Sequence, residues 1–235
     1  MREQAILWKW YSVLHIEKAS FSVILFHVRN SIINRQFRYV NANTWVIIVA
    51  VNIIMFIAGT VFEDLVYYIS LVPAFVRYRH WYWQVFTYMF SHASFWHLFS
   101  NMFALFMFGP VIEREIGSRE FLLFYLLTGT LSGIAAYLTY RASGNYAVVI
   151  LGASGSVYAL LYLFAVLFPG QRLMLFAVIP ISAPVLVSAY FLIEFFAQFA
   201  SDGTAHLVHL YGLLFALIYA AVRMRLNPLK RWGII

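Results

Sequence analysis

The stretch Gly152-Ala153-Ser154-Gly155 places a serine between small residues at the start of an apolar run, Ser156 to Phe168. Two other apolar runs also carry polar side chains: His92, His97 and Asn101 upstream, and His206 and His209 downstream. Polar groups at membrane depth are costly and usually functional. Serine can act as a nucleophile, histidine as its base, and asparagine and histidine as oxyanion donors. The three runs therefore predict a hydrolytic site.

The composition predicts a polytopic membrane protein with one compact domain. The chain has 235 residues, of which 63% are hydrophobic and 11% charged. A soluble globular protein has about 45–50% apolar and about 25% charged residues. The chain contains no cysteine, so a disulfide, a thiolate metal site and a cysteine nucleophile are excluded.

Hydropathy predicts an all-α fold, a bundle of six transmembrane helices, because about 20 apolar residues cross the hydrocarbon core. The predicted spans are 45–62, 95–112, 121–140, 147–168, 173–199 and 204–222. This domain, residues 45–222, lies between a basic N-terminal segment, 1–44, and a basic tail, 223–235. The fifth span contains Pro180 and Pro184, so we expect it to be kinked or shorter than its apolar length. It also contains Glu194, which is either solvated at the outer end or paired inside the protein.

The basic residues predict the orientation of the chain in its membrane. All of the 16 Lys and Arg residues except Arg77, Arg79 and Arg141 fall on one side of the predicted spans. The positive-inside rule then places both termini in the cytoplasm, and we expect a bacterial inner membrane. The net charge of +7 is thus explained by topology, and no nucleic-acid partner is expected.

The predicted spans also place the polar residues at one depth. Ser154 lies about 10 Å inside its span, Asn101 about 9 Å and His209 about 8 Å, at 1.5 Å rise per residue. This common level favours His209 over His206 as the base for Ser154. Since no carboxylate is expected in this layer, the pattern predicts a Ser–His dyad without the acid of a triad.

Small and aromatic neighbours of Ser154 fit such a site. Gly152 and Gly155 would let the backbone or a substrate approach closely. Tyr158 lies one helical turn after Ser154 and could orient the base by packing against its ring.

Taken together, three segments resemble the rhomboid intramembrane serine proteases: His92–Asn101 (HASFWHLFSN), Gly152–Tyr158 (GASGSVY) and Val208–Gly212 (VHLYG). The resemblance covers about residues 45–222. It implies Ser154 as nucleophile and His209 as base. It also implies an oxyanion hole built from the Ser154 N–H, His97 and Asn101, with His92 in a supporting role.

The same resemblance implies cleavage of transmembrane or membrane-proximal segments of protein substrates, among membrane lipids and with no cofactor or metal. Two stretches depart from the usual family pattern, Glu113-Arg114-Glu115 and Trp83-Gln84. Both concern the fixing of loops rather than the dyad. The long loop 63–91, rich in Tyr and Trp, would be the membrane-dipping first loop of the family.

Three other functions are compatible with parts of the pattern. His206 and His209 could bind a metal together with His92 and His97. A non-catalytic member of the same family could bind transmembrane clients on this scaffold. A small transporter is a further alternative, although the chain has neither a charged pathway nor an inverted repeat.

Overall fold

The computed structural model describes residues 37–175, 178–199 and 205–235. Most of the predicted N-terminal segment 1–44 therefore lies outside the described residues. The elements are α1 Thr44–Val61, α2 Glu63–Ile69, α3 Pro73–Tyr78, α4 Gln84–Thr87, α5 Phe95–Ile116, α6 Ser118–Ala142, α7 Ser154–Leu167, β1 Arg172–Leu175, β2 Ile179–Ser182, α8 Ala183–Ala197, α9 His206–Val222 and α10 Pro228–Arg231. A 3-10 turn, Tyr88–Phe90, follows α4.

The helical fold class predicted from the sequence is confirmed. Three helices, α1, α5 and α6, have 18, 22 and 25 residues and are long and apolar enough to cross a membrane. Three shorter apolar helices, α7, α8 and α9, have 14, 15 and 17 residues. Large apolar side chains point outward from several helices; Ile54 on α1 is 63% exposed and Phe196 on α8 is 67% exposed. Such outward apolar faces fit lipid contact, since none of the residues that the structure describes covers these side chains.

Helix α7 lies at the centre of the bundle. It packs against α5, α6, α8 and α9. Ten of its 14 residues are buried, whereas α1 buries only three side chains. A short apolar helix that is buried on nearly all sides is a core helix.

The predicted start of the fourth span at residue 147 is wrong, because α7 begins at Ser154. The preceding residues are extended and pair with the loop after α2. The N–H and C=O groups of Ile150 and Leu71 bond each other at 2.8 and 2.9 Å, and the Gly152 N–H donates to the Tyr88 carbonyl at 3.0 Å. Ile150 and Gly152 are buried, so their backbone groups need such partners. The depth of about 10 Å for Ser154 assumed a helical rise of 1.5 Å per residue from Ala147, and that assumption does not hold.

The helix in the fifth predicted span, 173–199, covers Ala183–Ala197, so the expectation that it is kinked or shorter than its apolar length is confirmed. The first third of the span contains no helix among its described residues. Strands β1 and β2 form an antiparallel hairpin there, with Arg172 opposite Ser182 and Leu175 opposite Ile179. Pro180 cannot donate the backbone bond that a helix interior needs, but an edge strand tolerates it. Pro184 sits in the first turn of α8, where a missing N–H costs nothing.

Trp83 and Gln84, one of the two stretches that depart from the family pattern, fix the loop between α1 and α5 by side-chain hydrogen bonds. The Gln84 side chain is fully buried. Its Oε1 accepts from the Val72 N–H at 3.1 Å, and its Nε2 donates to the Tyr67 carbonyl at 2.9 Å. Trp83 Nε1 donates to the Tyr68 carbonyl at 3.0 Å. Gln84 thus joins α4 to α2 and to the connection between α2 and α3.

Glu113, the first residue of the other departure, caps the start of α1. Its Oε1 accepts from the Thr44 N–H at 2.7 Å and its Oε2 from the Trp45 N–H at 2.9 Å. The Ser118 hydroxyl also donates to Oε1. Free N–H groups and the positive end of the helix dipole stabilise a carboxylate at this position. The end of α5 and the start of α1 are therefore held together by one buried side chain.

We predict that Glu113→Ala lowers the free energy of unfolding by about 1–3 kcal/mol, since two buried N–H groups lose their acceptor. Thermal unfolding in detergent micelles measures the change. The matched control is Glu115→Ala on the same helix end, where the side chain is exposed and the expected change is within about 0.5 kcal/mol. Equal midpoints for the two variants would contradict the capping role.

Candidate active site

Ser154 is the first residue of α7 and follows a turn that only glycine accommodates easily. Gly152 has φ +116°, in the region that L side chains rarely adopt. A Cβ at this position would lie 2.7 Å from the His97 ring. The bond from the Gly152 N–H to Tyr88 anchors the turn from the other side. The turn at Gly152 therefore leads the chain into α7, and Gly152 itself packs against the His97 ring.

The Ser154 hydroxyl and the His209 imidazole are in direct contact. His209 Nε2 lies 2.8 Å from Ser154 Oγ, at hydrogen-bond distance. His209 stands in the first turn of α9, and α9 packs closely against α7. This geometry pairs a hydroxyl with a potential base from two different helices.

Two glycines allow α7 and α9 to approach closely enough for that contact. A Cβ on Gly212 would lie 2.2 Å from the Gly155 carbonyl oxygen, well inside van der Waals contact. A Cβ on Gly155 would lie 3.0 Å from a Val208 methyl group. The two helices therefore meet backbone to backbone at the residue after Ser154 and one turn after His209. Small residues at such crossings are typical of membrane helices.

Tyr158 lies against the face of the His209 ring. The two rings are parallel within 4°, with centroids 4.4 Å apart. Tyr158 is one turn after Ser154 on α7. The imidazole is therefore confined between the Tyr158 ring on its face and Ser154 at its Nε2 edge.

The expectation that no carboxylate reaches this layer is wrong, because Glu194 of α8 lies beside His209. Its Oε2 is 2.9 Å from His209 Nδ1 and 2.6 Å from His206 Nδ1. The Tyr158 hydroxyl donates to its Oε1. The side chain is 5% exposed, so of the two alternatives for Glu194 the internal pairing is the one observed.

The sequence signal for Glu194 was its occurrence in an otherwise apolar segment. Its partners could not be read from spacing, since they come from two other helices.

Across the cavity from His209 lie His97 and Asn101 on α5. They share one cavity of about 520 Å³ with Ser154, His209 and Tyr158. The Asn101 Nδ2 donates to the His97 carbonyl at 2.8 Å, which uses one of its two N–H groups. The cavity is otherwise lined mainly by apolar side chains such as Val149 and Leu161.

His92 lies behind the Gly152 turn rather than in that cavity. Its Nε2 is 3.4 Å from the Ala153 N–H, and its ring contacts the His97 ring with centroids 5.1 Å apart. Burial lowers the pKa of the His92 imidazole to about 3, and the neighbouring His97 acts in the same direction. A neutral His92 can accept the Ala153 N–H, which supports the residue immediately before Ser154.

His206 contacts Glu194, whereas the histidine next to Ser154 is His209.

Within the described residues, the group that could hold a metal ion consists of Glu194, His206 and His209, with ligand atoms within 4.8 Å of one another. This differs from the set of four histidines considered from the sequence. Tetrahedral zinc ligands at about 2.0–2.1 Å would be separated by roughly 3.3 Å. The observed N–O distances of 2.6 and 2.9 Å fit hydrogen bonds better.

Comparison with known proteins gives a family match over most of the membrane portion. The Rhomboid domain matches residues 79–226. YdcA of Bacillus subtilis (strain 168), named as a candidate rhomboid protease, is 37% identical over 91 residues, which are 38% of this chain and 44% of that protein. Rhomboid protein 1, mitochondrial, of Saccharomyces cerevisiae is 37% identical over 89 residues, which are 37% of this chain and 25% of that protein.

A plant relative extends the match. Rhomboid-like protein 11, chloroplastic, of Arabidopsis thaliana is 32% identical over 120 residues, which are 51% of this chain and 40% of that protein. The chain thus spans less than half the length of each of these relatives. The matches come from bacteria, mitochondria and chloroplasts.

We predict that Gly212→Ala separates α7 from α9 and destabilises the protein by about 1–3 kcal/mol, the usual cost of overpacking. The added methyl group meets backbone, which cannot rotate away. The matched control is Gly170→Ala, where a Cβ meets nothing within 4 Å. Thermal unfolding in detergent micelles compares the stability of the two variants. A Gly212→Ala protein as stable as Gly170→Ala would contradict the close helix contact.

Proposed function

The chain belongs to the rhomboid family, and from the geometry of its site we propose that it is an intramembrane serine endopeptidase. The observation that carries the proposal is the 2.8 Å contact between Ser154 Oγ and His209 Nε2, at the edge of a cavity of about 520 Å³. A serine hydroxyl is a weak nucleophile unless a base receives its proton. A contact between the two at this distance supports such a transfer.

The proposed reaction proceeds in two halves. Ser154 Oγ attacks the carbonyl carbon of the scissile peptide while His209 Nε2 takes the hydroxyl proton. The C–N bond then breaks, and His209 returns that proton to the leaving amine, which leaves an acyl-enzyme on Ser154. A water molecule, deprotonated by His209, hydrolyses the ester and restores the hydroxyl.

Three donors support stabilisation of the oxyanion. Ser154 is the first residue of α7, so its N–H has no acceptor within the helix and lies at the positive end of the helix dipole. His97 and Asn101 face the same cavity from α5. In soluble proteases, each preorganised donor of this kind lowers the activation free energy by about 2.7–4 kcal/mol.

We also propose that all six apolar helices span the membrane, with both termini in the cytoplasm. The short length of α7 then has a purpose. Its 14 residues cover about 21 Å, whereas the hydrocarbon core is about 30 Å thick. If α7 ends at the cytoplasmic face, Ser154 lies roughly 9 Å below the outer one. The extended segment before it bridges the remaining distance.

The substrate class follows from this depth and from the cavity lining. Apolar side chains such as Val149, Val157 and Leu161 surround the polar groups. A segment that is itself membrane-embedded or membrane-proximal would fit such walls. We therefore propose transmembrane protein substrates. The bacterial relative with a protease name supports the activity without fixing the substrate.

We predict that Ser154→Ala abolishes cleavage of a single-span reporter protein by the purified enzyme in liposomes, with the products identified by mass spectrometry. His209→Ala should cost as much, and the double variant no more than either, because nucleophile and base act as one unit. Thermal unfolding verifies that each variant is folded. An active Ser154→Ala enzyme would exclude the serine mechanism. A wild type that binds the reporter without cleaving it would favour a client-binding protein instead.

We further predict that cleavage persists after dialysis against a strong chelator, since a serine hydrolase needs no ion. This test is informative because Glu194, His206 and His209 include metal-ligating groups. Loss of cleavage that zinc alone restores would assign these three residues to a catalytic metal.

A further inference from the structure

Glu194 is a buried carboxylate that joins three helices. It lies on α8, and its oxygens contact Tyr158 on α7 and both His206 and His209 on α9. An isolated carboxylate in a membrane bundle is costly. Three donors around one side chain offset that cost, so the surroundings fit the ionised form. A carboxylate in this form only accepts hydrogen bonds.

A carboxylate beside Nδ1 of His209 favours the tautomer that carries the proton on this nitrogen. His209 Nδ1 is buried and 2.9 Å from Glu194 Oε2. That distance is within hydrogen-bond range, although the angle is not ideal, and no other hydrogen-bond partner for this nitrogen is found among the described residues. Catalytic hydrogen bonds are often misaligned without substrate and tighten in the complex. With the proton on Nδ1, Nε2 offers its lone pair to Ser154 Oγ.

We propose that Glu194 is a positioning residue that completes a Ser154–His209–Glu194 array. This inference rests on the proposed function and extends it from a dyad to a triad. When Ser154 transfers its proton to Nε2, His209 becomes an imidazolium and Glu194 stabilises the new charge. The carboxylate keeps its own state throughout, so the proton returns from Nε2 to the leaving amine.

The remaining contacts of Glu194 hold it in place for this role. Tyr158 donates to one oxygen while its ring stacks on His209, so a single side chain orients both members of the pair. His206 donates to the same oxygen that faces His209, at 2.6 Å. His209 is thereby fixed at its face and at both nitrogens.

The test measures kcat and KM with the single-span reporter for Glu194→Gln and Glu194→Leu. Glu194→Gln keeps an acceptor but removes the charge, and we expect kcat to fall at least about 10-fold. Glu194→Leu removes both the acceptor and the charge, and we expect kcat to fall at least about 100-fold. The carboxylate-to-amide change in a soluble triad costs about 10⁴ in kcat through the wrong tautomer, so both limits are conservative. KM should stay within about twofold of the wild type in both. Glu115→Gln, at an exposed position, serves as the matched control.

A second readout follows the tautomer of His209 by ¹⁵N NMR of histidine-labelled protein in micelles, with His209→Gln to assign the signal. We expect the Nδ1–H form in the wild type and a gain of the Nε2–H form in Glu194→Leu. A purely structural role would leave the tautomer unchanged. An Nε2–H form in the wild type would overturn the proposal.

The outcomes separate this inference from the proposed function. Wild-type kcat in both Glu194 variants would overturn the inference while leaving the serine protease intact. If Glu194→Leu does not fold, unchanged kcat in Glu194→Gln is sufficient to overturn it. If the wild type cleaves nothing, the proposed function fails and the NMR result alone decides the Glu194–His209 pairing. Stoichiometric zinc in the purified wild type, lost in Glu194→Gln, would replace the pairing by a metal site.

Discussion

The contact between the backbones of α7 and α9 is the constraint on which the site depends. Gly212 leaves no room for a side chain against the Gly155 carbonyl, so the two helices meet at their closest near the ends that carry Ser154 and His209. Apolar packing alone would not set this distance, because lipid tails are as apolar as the side chains they replace. The glycines provide the close approach, and the hydrogen bond between Ser154 and His209 becomes possible as a result.

Buried polar side chains then fix the elements that packing leaves free. Gln84 holds the loop between α1 and α5, Glu113 caps α1 from the end of α5, and Glu194 links α8 to α7 and α9. Each satisfies backbone or side-chain donors from a different element. In a low-dielectric interior such bonds are strong, and an unpaired member would be costly. The polar groups therefore define a single arrangement of the apolar helices.

Each predicted span coincides in part with one apolar helix of the described residues, α1 or one of α5 to α9, and the order of the motifs was also predicted, since both depend on local composition. The sequence missed the start of α7, because residues 147–153 are as apolar as a helix but pair with the loop near Leu71. It missed the β1–β2 hairpin for a similar reason, although Pro180 indicated that a helix would be interrupted. The partners of Glu194 could not be predicted at all, since they depend on which faces of three helices turn inward.

The two stretches in which this chain departs from the family pattern were interpreted from the sequence as loop-fixing positions. Gln84 and Glu113, one from each stretch, both make hydrogen bonds between elements. The site itself combines a part visible in the sequence, the serine and histidines, with a part visible only in three dimensions, the carboxylate behind the base.

Covalent labelling of the intact protein with a fluorophosphonate tests the central claim, that Ser154 is a nucleophile activated by His209, without any knowledge of the substrate. The account predicts one adduct, mapped to Ser154 by mass spectrometry, and a labelling rate at least about 100-fold lower in His209→Ala. An adduct on another residue, or labelling of Ser154 at an undiminished rate in His209→Ala, would contradict it.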